Sequence, residues 1–110
     1  MSIFAALMMF QTIGCTAVVA SVRMQSASSA IEETSQSGAL KVAPYEHTMA
    51  QEYLRMAKEE ASIAEYQSSV SCADKSLEWT KATAKKIKRN KKRLEQEKLS
   101  NELQQEEGIE

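Results

Sequence analysis

Cys15 is the residue of this 110-residue chain whose chemistry is most sharply defined by its neighbours. It follows Gly14 and stands just past the apolar run Ile3-Phe4-Ala5-Ala6-Leu7-Met8-Met9-Phe10. A thiol in that setting is a candidate for acylation: an exported chain is trimmed in front of the cysteine, which then carries lipid. Gly14 supplies the small residue that such processing needs. Thr12 stands where an aliphatic residue is usual, and no Lys or Arg precedes Arg23, where a basic start is expected. The competing reading is an uncleaved anchor, since Met1 to Val22 carries no charged side chain and about 20 apolar residues can span a bilayer. Ser2, Gln11, Thr12, Gly14, Thr16 and Ser21 interrupt that run, and its strongly apolar part has the length of a signal-peptide core.

The other reactive side chains form no constellation. Cys72 is a lone thiol once Cys15 is lipidated. It reads as a small helix residue, or as the partner in an intermolecular disulfide. His47 is the only histidine and reads as a surface residue without an acid or nucleophile beside it. Glu32-Glu33 and Glu59-Glu60 are adjacent pairs, so each pair points its carboxylates to different faces of a helix. Two isolated cysteines and one histidine make no zinc site. No nucleophile, base and oxyanion donors come together, and no metalloprotease, P-loop or nucleophile-elbow motif is present. The expectation is a protein that is not an enzyme and takes no metal and no cofactor.

Charge is unevenly placed along a chain that is nearly neutral overall, at −1. Lys81, Lys85, Lys86, Lys88, Arg89, Lys91, Lys92 and Arg93 fall within thirteen residues that hold no acid. Glu95, Glu97, Glu102, Glu106, Glu107 and Glu110 follow. The basic block reads as a solvated helix extension or as a handle for an anionic surface, such as lipid head groups, lipopolysaccharide or cell-wall polymer. Each cation near an anionic membrane is worth on the order of 1 kcal/mol. No aromatics are interleaved for base stacking, so nucleic acid is not the expected partner. Opposite blocks in one helix also allow two chains to pair antiparallel, or to shield each other.

The elements that must carry these residues are helices. Three glycines and one proline leave few breakpoints. Ala20, Met24, Ala27, Ile31 and Thr34 recur at spacings of four and three and predict a first helix over Ala17 to Gln36, closed by Gly38 in a left-handed turn. Pro44 opens the next helix, because its missing N–H costs nothing in a first turn. Its expected seam is Met49, Tyr53, Met56/Ala57, Glu60 and Ala64, flanked by Ala50, Leu54 and Ala61, with Glu46, Glu52, Arg55, Lys58 and Glu59 outside and an end or bend near Ser62 to Glu65. A third helix carries Tyr66, Val70, Ala73, Leu77, Thr80, Ala84 and Ile87, a period of 3.5 that marks a helix zipped on another. Tyr53 and Tyr66 are expected to meet near the turn. About forty residues of helix reach about 60 Å, so the third helix outruns its partner. The predicted fold is all-α: an antiparallel hairpin with an N-terminal third helix and a long projecting C-terminal helix. The divisions are residues 1–14 as signal peptide, 15–43 as anchored helix and linker, 44–94 as hairpin, and 95–110 as a charged, fraying end.

Ala43-Pro44-Tyr45-Glu46, then Ala50-x-x-Tyr53-Leu54-x-x-Ala57-Lys58-Glu59-Glu60-Ala61, then Glu65-Tyr66-Gln67 with Ala73 and Lys75, resemble a family of small uncharacterised bacterial lipoproteins, some found beside OmpA-type domains. The likeness runs from Gly14 to Lys88. Ser68, Ser69 and Ser71 depart from it where alanine is commoner, as do the basic segment and the acidic end. It implies location and fold, not an activity. The same stretch is similar to one tetratricopeptide unit, with Ala50, Tyr53, Tyr66 and Ser69 at the small and aromatic positions of that roughly 34-residue repeat. One unit alone leaves a face open, for a partner or for the first helix.

Two functions follow as expectations. One is a lipoprotein of the cell envelope, lipid-anchored at the outer membrane and facing the periplasm, that binds a protein partner or itself through the hairpin; Thr16, in place of the aspartate that retains lipoproteins at the inner membrane, favours the outer one. The other is a lipid-anchored module that holds an anionic surface through residues 81–93.

Overall fold

The computed structural model describes residues 11–108, and the side chains from Gly14 onward. The apolar run Ile3 to Phe10 and the last two residues lie outside them. All described secondary structure is helical: α1 (Gln11–Gln36), α2 (Ala39–Val42), α3 (Pro44–Ser62) and α4 (Tyr66–Glu107). The all-α expectation and the long last helix hold. The helix begins before Ala17, so Gly14 and Cys15 sit within α1. Residues 95–107 continue α4 as regular helix.

Each turn has a local cause. Gly38, at φ 93°, takes the left-handed conformation that a Cβ disfavours, and its N–H donates to the Ser35 carbonyl as α1 ends. Pro44 occupies the first turn of α3. At the other end of α3 the Glu65 N–H reaches the Glu60 carbonyl and the Ala64 N–H reaches that of Ala61. This is a Schellman turn, and it forces Ala64 to φ 61°, where glycine is usual.

Three helices pack side by side. The α3–α4 hairpin is antiparallel, with Ser69 against Ala57 and Ser76 against Ala50. α1 runs parallel to α4: Met24 meets Ser69, and Arg23 pairs with Asp74 at 3.1 Å. The first helix therefore covers the open face of the hairpin. Its seam is as expected: Ala20, Ala27, Ile31 and Thr34 are buried and Met24 half-buried. Ala27, Ile31, Ala50 and Leu54 form the apolar centre, with Met24, Leu77 and Trp79 leaning on it.

The hairpin seam differs from expectation by a rotation of each helix. On α3 the buried positions are His47, Ala50, Leu54 and Ala57; Met49 and Tyr53 are half-buried, Met56 and Ala64 exposed. On α4 they are Ser69, Ala73, Ser76, Thr80, Thr83 and Ile87; Tyr66, Val70 and Leu77 are half-buried and Ala84 is exposed. Ala57, Ala73, Thr80 and Ile87 are shared with the predicted stripe. The physical reason is close approach. Small side chains let the backbones come near enough for the Ser69 hydroxyl to donate to the Ala57 carbonyl at 2.8 Å and that of Ser76 to Ala50 at 2.7 Å. Larger residues are displaced to the edges. Tyr53 does not close on Tyr66 as an aromatic pair; its ring receives the Lys75 ammonium at 5.5 Å. The aromatic pair is Tyr45 edge-on to Trp79, with centroids 5.7 Å apart.

Candidate functional site

Chemistry-bearing residues gather at two ends of the bundle. At one end, beside the α3–α4 turn, the thiol of Cys15 is exposed. Cys15, Thr16 and Val19 share a shallow depression with Gln67 and Val70 of α4. Val18, Val19 and Val22 stand largely exposed on the same turns of α1, and Ile63 on the nearby loop. Among the described residues no helix is long and apolar enough to cross a membrane. Cys72 is half-buried and unpaired, one helix away from Cys15.

At the other end α4 carries the basic segment past the end of α1 and alongside α2. Lys81, Lys85, Lys86, Lys88, Arg89, Lys91, Lys92 and Arg93 are all exposed. They are not equivalent. The Lys86 ammonium pairs with the Glu46 carboxylate of α3, whose side chain is only 12% exposed. Arg93 pairs with Glu97 at 2.8 Å and donates to Asn90. Among the described residues the other six cations have no ion-pair partner. Arg89, Asn90 and Arg93 flank a shallow concavity against Val42 and Lys41 of α2.

Glu46 and His47 depart from the surface roles expected of them. Lys86 holds the Glu46 carboxyl below the usual carboxylate range, chiefly by its hydrogen bond, with help from a backbone hydrogen bond; partial burial opposes the shift. Glu46 Oε2 and His47 Nδ1 are buried without a hydrogen-bond partner. His47 lies inside the bundle, on the first turn of α3, where Ala43 just before it and Ala39 of α2 are also buried. A lone polar residue on the buried face of an alanine-rich helix carries no periodic signal of its own, so hydropathy patterning passes over it.

Between α1 and α4, on the side away from α3, lies an open groove of about 440 Å³. Ala30, Thr34, Leu77, Ala84 and Ile87 make its floor, and Lys81, Lys88 and Lys91 its rim, with Glu33 opposite. Ala84, expected in the seam, lines this groove instead. Among the described residues no three His, Cys, Asp or Glu side chains gather as metal ligands. No family model, curated protein or solved structure matches the chain.

Proposed function

We propose that the protein is a non-enzymatic lipoprotein of the cell envelope, attached through Cys15 and acting as a helical interaction module at the outer membrane. One observation carries this reading: the exposed Cys15 thiol sits among Val18, Val19, Val22 and Ile63 at one end of an elongated bundle, and the cations crowd the other. An acylated cysteine ringed by exposed apolar side chains suits the boundary between head groups and acyl chains, where each buried methylene contributes about 0.8 kcal/mol. Lys85 to Arg93 lie some 15 to 26 residues farther along α4 than the Gln67–Val70 stretch beside Cys15, a separation of about 23–39 Å at helical rise. Three packed helices hold that distance, so the module presents its far end and its grooves to partners beyond the bilayer.

The second reading, a lipid-anchored binder of an anionic polymer, is favoured by the six unpaired cations at that far end. A head group of the anchoring membrane lies several Debye lengths away when the bundle stands upright, and is screened there. A polymer chain above the membrane is within reach.

The test is intact mass and membrane fractionation of the wild type against Cys15→Ala in a Gram-negative host. A trimmed, acylated species in the outer-membrane fraction, lost in the variant, supports the proposal; an unmodified full-length chain overturns it. Neutralising Lys85, Arg89 and Lys92 then separates the two readings. Loss of salt-sensitive polymer binding with the fold intact favours the second, and unchanged binding of every partner removes it. Lys86 is left in place because it also holds Glu46.

A further inference from the structure

We propose that the chain pairs with a second copy of itself, antiparallel along α4, with the acidic end of each α4 lying in the α1–α4 groove of the other. The inference does not depend on the fate of Cys15. Lys81, Lys88, Glu95 and Glu102 stand at intervals of seven residues on one continuous helix, and all four are exposed. Residues seven apart lie on the same face of a helix. This face is therefore basic in its first half and acidic in its second, which makes it complementary to itself when reversed. The register that sets Glu102 opposite Lys81 also sets Glu95 opposite Lys88, and by symmetry each pair occurs twice.

The apolar surface agrees with the same register. Leu99 and Leu103 are 59% and 56% exposed, one turn apart, on a stretch of α4 with no helix against it. Reversal sets Leu99 at the level of Ala84 and Leu103 at that of Thr80, both residues of the groove. The lengths match as well: the groove follows α4 from Leu77 to Lys91, about 20 Å, and the free helix from Glu95 to Glu107 spans about 18 Å. Lys91 and Lys92 of the two copies fall at the two-fold axis, where their long, exposed side chains reach outward and keep the ammonium groups apart and solvated. The two Cys15 thiols then lie at opposite ends of the pair, about 70 Å apart along the axis, so an acylated pair lies along one membrane or bridges two, and the upright arrangement belongs to the single chain.

Sedimentation of the full chain under reductant, at low ionic strength, tests the proposal. The wild type is expected at twice the chain mass. Lys81→Glu with Lys88→Glu, and separately Glu95→Lys with Glu102→Lys, should each weaken association at least about tenfold, because every facing pair becomes like-charged. Mixing the two variants should restore a mixed dimer, since each groove again meets a tail of opposite sign. Circular dichroism confirms that each variant folds. As a second measurement, Ala84→Cys in one copy should cross-link to Leu99→Cys in the other. A monomeric wild type, variants that still dimerise alone, or a mixture that stays monomeric would overturn the proposal.

Discussion

At Ser76 a hydroxyl does the work that an apolar side chain does in most helical cores. It sits fully buried between helices and donates to the Ala50 carbonyl of α3. Ser76→Ala should cost about 1 kcal/mol, the net value of one such bond, while Ser76→Leu should cost several-fold more by forcing the backbones apart. Urea denaturation of the two variants measures both. Ala64 offers the opposite case. It holds the left-handed position of the Schellman turn with a Cβ, at a cost on the order of 1 kcal/mol. Ala64→Gly should raise the melting temperature by a few degrees, given the usual conversion for a domain of this size. His47 is buried with Nδ1 unpartnered, and an unpaired buried polar group costs about 1–3 kcal/mol. His47→Leu should leave stability unchanged or raise it, read by the same thermal scan.

At the scale of elements, the hairpin is joined by small-residue contact along its length and by the Glu46–Lys86 pair near its open end. The folded Glu46 carboxyl titrates below its unfolded value. Its contribution to stability is thus complete above the unfolded carboxylate range and disappears as pH falls through the lowered folded value. Thermal stability should decline on acidification through that window, and Lys86→Met should flatten this part of the profile. The exposed Arg55 guanidinium, set between Glu52 and Glu59, belongs to α3 alone; surface pairs of this type contribute little. Leu54 is the largest side chain on the buried face of α3. Leu54→Ala should cost about 2–5 kcal/mol, as deletion of a buried leucine does elsewhere, enough to unfold much of so thin a core.

The molecule as a whole is a rod, 94 × 21 × 16 Å. Such a shape buries few residues for its length, and the residues of α4 beyond Asn90 are all exposed. Ending the chain at Arg93 should therefore leave the melting temperature of the isolated monomer within a few degrees of the full chain. The same deletion removes the acidic half of the self-complementary face and should abolish pairing. Comparing dilute melting curves with sedimentation separates the two effects.

Much of this was legible in the residue order. Gly38 and Pro44 mark where helices stop and start because each limits the backbone locally. The seam of α1 was legible because Ala20, Met24, Ala27, Ile31 and Thr34 stand out from polar neighbours at helical spacing. The hairpin seam was readable only as a period, not as a phase. On α3 and α4 two adjacent stripes are almost equally apolar, and a rotation of about 100° per residue exchanges one for the other. Close packing chose between them by bringing Ala50, Ala57, Ser69 and Ser76 together and moving Met49, Tyr53 and Tyr66 to the edges. Sequence by itself determined the three long helices, their order and their charge blocks, since these follow from local spacing; the short α2 fell in a stretch read as linker. Only the tertiary structure decided that His47 is inside, that Lys86 is committed to Glu46 and that Ala84 lines a groove, because each depends on which residue of a distant helix arrives opposite.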